Sequence, residues 1–477
     1  MKLDWSLVRK QGLGHLMNGG WGVKRRVNHV GTRVSGLESL EERVLLTTIS
    51  DGTVASYIEV PPPAPTVYPI SGESFGASVT SIGDINGDGV PDLAVGATTA
   101  DSAVPYVGAI HILLMNADGT VQQETTIGNN IGGGPTLADG GYFGASITAL
   151  GDLDGDGVVD LAVGSPSHNK GRARAGYASG AVYIIFLNSD GTAKSSKLIE
   201  KGTAGIPPLS YFSRFGSSVA AIGDLNGDGI NDLAVGGWKT TSTIVGHRSH
   251  GTPHGRIDIL FLDTDGSVKS STRITQGRNG GPKIPKVDYT GLSLTNMGDV
   301  NGDGVTDLAM GNLGDSQEGN KHGAVYLLFM KSNGKVKSFT RIAGNENGGP
   351  VVGENEQFGG SVSGIGDLDG DGISELAVGD ASPSPSTGTI ETGLALGAIH
   401  ILFLNADGSV KSSTRFTPEL SSEPSRHLGD RFGFSIAPAG DLNGDGITEL
   451  AVGALGNGNA SYLQGALYVL FLNTTES

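Results

Sequence analysis

The 477 residues contain no cysteine, so no disulfide staples the fold and none reports the redox compartment. Export is not excluded by that absence, because bound ions can cross-link a chain as disulfides do. No apolar run approaches the 18 or more residues of a membrane-spanning helix; the longest are strand-sized, such as Val182 to Leu187. The N-terminal stretch lacks the apolar core of an ordinary secretory signal. No phosphate-cradling P-loop is evident. Basic residues are outnumbered, 32 Lys and Arg against 49 Asp and Glu for a net charge of −17, and nucleic-acid binding is not implied.

What the chain does have is one nine-residue pattern, six times over, at intervals of 68 to 75 residues. A fixed period of that size means one supersecondary unit repeated. Position 1 is Asp84, Asp152, Asp224, Asp299, Asp367 and Asp441; position 3 is Asn86, Asp154, Asn226, Asn301, Asp369 and Asn443. Position 5 is Asp88, Asp156, Asp228, Asp303, Asp371 and Asp445, and position 9 is Asp92, Asp160, Asp232, Asp307, Glu375 and Glu449. Between them stand glycines at positions 4 and 6, which permit the positive φ angles needed to curl around an ion. Position 7 is apolar (Val90, Val158, Ile230, Val305, Ile373, Ile447), able to offer a backbone oxygen while its side chain turns inward.

Ca²⁺ takes roughly six to eight hard oxygen ligands at about 2.3 to 2.6 Å, and each copy supplies such a set. EF-hand loops begin alike but close with a carboxylate at position 12. Here position 12 is Val95, Val163, Val235, Met310, Val378 and Val452, so EF-hand and dockerin-type readings fall away. Mg²⁺ holds its waters and prefers strict octahedral sites, which favours Ca²⁺. Plain Asp/Gly turns are the alternative; six near-identical copies weigh against it. The loops hold 20 of the 49 acids, so the acidity is a property of the loops, and about six Ca²⁺ would bring the net charge from −17 to −5.

Residues 1–48 are basic and lack the repeat, which predicts an export, sorting or disordered segment ahead of a repeat domain over 49–477. Each repeat reads as four short strands: one after a Phe-Gly-x-Ser stretch, one at Leu-Ala-Val-Gly, a third rich in β-branched and aromatic residues, and a more polar fourth beyond an Asp-Gly turn. Four antiparallel strands repeated radially make a β-propeller blade. The sixth repeat stops before its fourth strand, and Ser50-Asp51-Gly52-Thr53-Val54 with Val60 matches the fourth-strand pattern of Ala117 to Ile127. Residues 50–60 are therefore predicted to complete the last blade and close the ring, leaving no free edge. The expectation is an all-β, six-bladed propeller, with seven blades as the alternative.

Phe-Gly-x-Ser followed by Gly-Asp-x-Asn-Gly-Asp-Gly-x-x-Asp-Leu-Ala-Val-Gly resembles the FG-GAP repeat of integrin α-subunit N-terminal propellers and their bacterial relatives, over about residues 70–472. Leu37-Glu-Ser-Leu-Glu-Glu-Arg-Val-Leu-Leu46 resembles, over ten residues, the LEPR-XLL motif at the N-terminus of large exported bacterial surface proteins; a plain short amphipathic helix is the alternative. The first resemblance implies loops that bind Ca²⁺ and a role in adhesion and ligand recognition at the cell surface or outside the cell. Two departures stand out: integrin-type propellers have seven blades, and Tyr289-Thr290-Gly291 replaces Phe-Gly in the fourth repeat. No stalk, transmembrane helix or partner-subunit feature is evident, so a receptor role does not carry over.

The calcium loops share one face of such a ring, and the long, dissimilar loops of the other face are where a protein or glycan ligand is expected. Candidates there are Tyr106, Arg172, Arg174, Tyr177, Trp238, His247, Arg248 and Tyr462. His247, His250 and His254 have a spacing that can ligate a transition metal, although solvated loop residues often cluster this way. His111 and His400 occupy the strand position of Tyr183, Asp258, Tyr326 and Tyr468 and read as structural. No catalytic residues emerge. The readings are a calcium-stabilised recognition module outside the cell, a glycan hydrolase or lyase working in the central channel, or a purely structural surface component.

Overall fold

The computed structural model describes residues 43–44, 53–62, 74–99, 106–169, 178–238, 255–284, 290–315, 323–352, 357–380, 397–417, 431–455 and 465–473. Every regular element among them is a strand. In chain order these are β1 (Arg43–Val44), β2 (Thr53–Val60), β3 (Phe75–Gly83), β4 (Asp92–Ala97), β5 (Ala109–Met115), β6 (Val121–Ile127), β7 (Ser146–Gly151), β8 (Asp160–Ser165), β9 (Ala181–Leu187), β10 (Ala193–Glu200), β11 (Ser218–Ala221), β12 (Leu233–Trp238) and β13 (Gly255–Leu262). They continue with β14 (Val268–Thr275), β15 (Ser293–Gly298), β16 (Asp307–Asn312), β17 (Ala324–Met330), β18 (Val336–Ile342), β19 (Phe358–Gly364), β20 (Leu376–Asp380), β21 (Ala398–Leu404), β22 (Val410–Phe416), β23 (Phe432–Gly440), β24 (Glu449–Ala454) and β25 (Ala466–Asn473).

Five sheets take four consecutive strands each, from β3–β6 to β19–β22, and the sixth runs β23-β24-β25-β2 with β1 on its outer edge. The molecule is thus a six-bladed β-propeller, and the N-terminal strand supplies the last blade's missing fourth strand. β2 lies antiparallel to β25, with Val54 opposite Leu472 and Val60 opposite Leu467. Beyond it, Arg43 and Val44 pair with Tyr57 and Ser56; the remainder of the LEPR-XLL-like stretch lies outside the described residues.

Second and third strands are covered on both faces, which is why they read as unbroken apolar runs rather than alternating ones. All residues of β4, β5, β8 and β9 are buried. Fourth strands carry their polar residues outward, as Gln122 to Glu124 do in β6. The core lies between neighbouring blades: Ile110 and Ile112 pack with Tyr183 and Ile185. The same apolar contact crosses the closure, where Leu467 and Val469 meet Phe75 and Leu93.

The Phe-Gly-x-Ser stretch is the joint between blades. Each serine hydroxyl donates to the glycine carbonyl of the next blade's Phe-Gly or Thr-Gly pair: Ser78 to Gly144 (2.8 Å), Ser146 to Gly216 (3.1 Å), Ser218 to Gly291 (2.8 Å), Ser293 to Gly359 (3.0 Å) and Ser361 to Gly433 (2.7 Å). Ser435 to Gly76 (2.8 Å) completes the circle across 359 residues of sequence. That contact fixes the glycine of each Leu-Ala-Val-Gly, since a Cβ on Gly96 would stand 2.0 Å from the Gly144 oxygen. Backbone bridges tie Phe143, Phe215, Phe358, Phe432 and Phe75 to Gly108, Gly180, Gly323, Gly397 and Gly465 of the preceding blades.

In the fourth blade Thr290 holds the place of that phenylalanine. A small cavity results between the third and fourth blades, lined by Ile257, Ile274, Thr290 and Met310. Met310 stands where the other blades have valine, so its longer side chain fills part of the slot.

Candidate metal centres

Each nine-residue loop joins the first strand of a blade to the second, and its own side chains shape it. Asp84 Oδ1 accepts from Gly87 N (2.7 Å) and Asp88 N (3.0 Å), and Oδ2 accepts from Gly89 N (2.8 Å). Asp152, Asp224, Asp367 and Asp441 repeat all three contacts. Asp299 accepts from Asp303 N and Gly304 N. These bonds, the Gly89 N–H foremost, hold the Asp84 carboxyl below its ordinary range. Position 5 then accepts from the backbone of position 7, as from Val90 N to Asp88 Oδ1 (2.9 Å). Gly87 and Gly89 have φ of 78° and 90°, with open space where a Cβ would stand; backbone conformation rather than crowding demands glycine there.

Position 7 packs partly against the core at Val90, Val158, Ile230, Val305, Ile373 and Ile447. Position 9 starts or immediately precedes the second strand and is buried in all six blades: Asp92, Asp232, Asp307, Glu375 and Glu449 are fully covered and Asp160 nearly so. Where it is Asp, both oxygens accept backbone N–H groups. Asp92 Oδ2 takes Ile85 N (3.0 Å) and Oδ1 takes Met115 N at the end of the third strand (2.9 Å). Where it is Glu, the extra methylene changes this. Glu375 Oε2 accepts from Leu368 N and Glu449 Oε2 from Leu442 N, each at 2.7 Å, while Oε1 of both is buried with no hydrogen-bond partner. Burial raises Asp92, Asp160, Asp232 and Asp307 to about 6 and Glu375 and Glu449 to about 7.

A buried carboxylate with an unused oxygen is costly unless a cation answers it, and hard oxygens in this number suit a divalent ion. The residues fit the ion that the sequence implies. Carboxylate oxygens lie within 4.8 Å of one another in Asp152, Asp154 and Asp160; in Asp367, Asp369 and Asp371; and in Asp441, Asp445 and Glu449. The loops from Asp84, Asp224 and Asp299, where position 3 is asparagine, bring no such triple of acids together among the described residues.

Four residues that the sequence pattern did not single out reach the loops from outside. Lys194 Nζ lies 2.6 Å from Asp154 and 2.5 Å from Asp156, Lys269 is 2.7 Å from Asp228, and Lys337 is 2.8 Å from Asp303. Lys411 pairs with Asp369 (2.7 Å) and Asp371. Hydrogen bonding to these lysines holds Asp156, Asp228, Asp303 and Asp371 below the ordinary carboxylate range. Their signal is the lysine closing Asp-Gly-Thr-Ala-Lys, Asp-Gly-Ser-Val-Lys and Asn-Gly-Lys-Val-Lys at the start of the fourth strands.

On the opposite face the exposed Tyr106 stacks on Tyr142 at 5.6 Å, and the Arg214 guanidinium lies 5.0 Å over the Trp238 ring. Arg172, Arg174, Tyr177, His247, Arg248, His250, His254 and Tyr462 lie outside the described residues. His111 and His400 are buried, edge-to-face on Phe75 and Phe358, and burial pushes His400 down to about 4. No helix among the described residues is long and apolar enough to cross a membrane.

The FG-GAP repeat family matches at residues 75–113, 143–185, 293–328 and 432–470, within the first, second, fourth and sixth blades. The chain is 30% identical over 213 residues to integrin alpha-3 of Cricetulus griseus, covering 44% of this chain and 17% of that protein. It is 33% identical over 179 residues to integrin alpha-11 of Homo sapiens (37% and 13%) and 30% over 247 residues to integrin alpha-5 of Xenopus laevis (50% and 20%). It thus spans a fifth or less of these relatives.

Proposed function

We propose that this FG-GAP propeller is a calcium-binding recognition module of the cell surface or extracellular space. About six Ca²⁺ would sit in loops of positions 1, 3, 5, 7 and 9, and a protein or glycan would bind the opposite face. The position-9 carboxylates carry the calcium half of the reading, above all the orphaned Oε1 atoms of Glu375 and Glu449. When bound, the ion ties the outer loop to the start of the second strand through oxygen ligands. The chain's own part is to hold positions 1 and 5 by backbone N–H groups and to bury position 9.

The recognition half rests on the pairs Tyr106–Tyr142 and Arg214–Trp238. Tyr106, Tyr142 and Arg214 belong to connections between second and third strands or between consecutive blades, and Trp238 ends the second strand β12, all on the face away from the loops. Stacked aromatics and arginine are favoured contact residues, and likeness to integrin alpha chains supports adhesion as the use. This reading contains no catalytic step. The pure protein on glycan and matrix-protein arrays should show a ligand whose binding is lost in Tyr106→Ala/Trp238→Ala at unchanged thermal midpoint. Retained binding in that variant places the ligand elsewhere; silence on every array returns the chain to a structural role. Chelation should lower the midpoint by about ten degrees or more, because ligand-linked stability is withdrawn at six sites.

A further inference from the structure

All six blades share a register irregularity that aims one residue at the metal loop. Val121 pairs with Met115 and Gln123 with Leu114, leaving Gln122 unpaired on a bulge of the fourth strand. The same skip falls on Lys194, Lys269, Lys337 and Lys411, and on Ala55 in β2. Bulges re-aim side chains, and here the bulged residue stands beside the outer carboxylates of the loop. In blades two to five it is a lysine whose ammonium lies on position 5, and on position 3 as well where that is a fourth acid. In blades one and six it is Gln122 and Ala55. There, among the described residues, the position-5 Oδ2 is met by the neutral amide of position 3, Asn86 Nδ2 to Asp88 (2.9 Å) and Asn443 Nδ2 to Asp445 (3.0 Å). Blades one and six are the pair that meet where the ring closes, through Ser435 on Gly76 and Gly465 beside Phe75.

We propose that the bulge residue sets how far each loop depends on calcium. Lys194, Lys269, Lys337 and Lys411 act as built-in counter-ions, and the two blades without one form a calcium-dependent lock on the seam of the ring. The proposal rests on the calcium reading above. An ammonium bonded to a carboxylate is a charge-assisted contact, about twice as strong as a neutral one, and it persists when calcium leaves. In the third and fourth blades it offsets one of three acids; in the second and fifth it offsets the additional acid at position 3. Around Asp84, Asp88 and Asp92, and around Asp441, Asp445 and Glu449, no side-chain cation does so among the described residues, and withdrawal of calcium leaves the like charge of three acids in each loop unanswered.

The test is hydrogen exchange by mass spectrometry on the full chain, with and without chelator, beside calorimetric calcium titration. Chelation should speed exchange by about tenfold or more in 84–92, in 441–449 and along the β2–β25 pairing, a factor that ~1.4 kcal/mol of opening free energy represents. Loops 152–160, 224–232, 299–307 and 367–375 should change several-fold less. Lys337→Met should move its loop into the responsive class, and Ala55→Lys should move 441–449 out of it. Calcium uptake with equal acceleration in all six loops, or with no effect of either substitution, overturns the proposal and leaves the calcium sites standing. Absence of calcium uptake overturns both.

Discussion

At position 9 a carboxylate is buried for the sake of its neighbours, and its titration reports the state of the loop. Burial raises the four aspartates to about 6 and the two glutamates to about 7. An unfolded chain holds these protons less tightly, so in the ion-free protein the stabilisation is fully present below the ordinary carboxylate range and is lost as pH rises through 6 to 7. Asp156, Asp228, Asp303 and Asp371 act in the opposite sense, because their lysine contacts are lost as pH falls through their lowered values. In EDTA the thermal midpoint should therefore climb as pH is lowered from about 8 to about 5 and drop again in stronger acid. Saturating calcium should flatten or invert the upper limb, since proton and ion compete for the same oxygens. A scanning-calorimetry series at fixed ionic strength checks this, and a midpoint in EDTA that rises with pH would contradict it. The oxygen pattern was legible in the sequence because 1-3-5-7-9 spacing is local. The orphaned Glu oxygens and the lysines were not, since both depend on which strand end lies beside the loop.

Among elements, the joint between blades is where one residue type decides packing. Five blades seat a phenylalanine that is almost completely buried against the third strand, and the fourth seats Thr290 with a cavity beside it. Refilling the slot by Thr290→Phe with Met310→Val restores the arrangement of the other five and should stabilise the fold by about 1–2 kcal/mol, the burial of a large side chain less the methionine's own. Thr290→Phe alone should gain less or lose, because Met310 already occupies part of the space. Phe215→Ala should cost about 3–5 kcal/mol. Urea unfolding of the three variants separates these cases, and a double variant less stable than the parent would show that the cavity is not the phenylalanine slot. That the fourth blade departs was visible in Tyr289-Thr290-Gly291. That Met310 answers the departure was not, because those residues are 20 apart in sequence and come together only around the cavity. The Ser–Gly ring was equally hidden: the motif names both residues, but each bond joins one repeat to the next.

For the whole molecule, closure is the one contact that no local segment can make for itself. Two features of the sequence predicted it: a final repeat that lacks its fourth strand, and an early Asp-Gly-Thr-Val stretch with a fourth-strand pattern. Both rest on counting repeats, which is why the ring was legible while the faces of its loops were not. The strand that closes it buries Val54, Tyr57, Ile58 and Val60, each worth about 1.5–3 kcal/mol when fully covered. Without it, the backbone groups of β25 are left as an open edge. Deleting residues 50–60 should therefore lower the unfolding free energy by several kcal/mol and expose a strand prone to pair with another copy of the chain. Deleting residues 1–40 should leave the midpoint within a few degrees of the parent, since β1 and β2 are retained. Thermal unfolding with light scattering reads both effects, and equal midpoints for the two deletions would remove β2 from its role as the clasp.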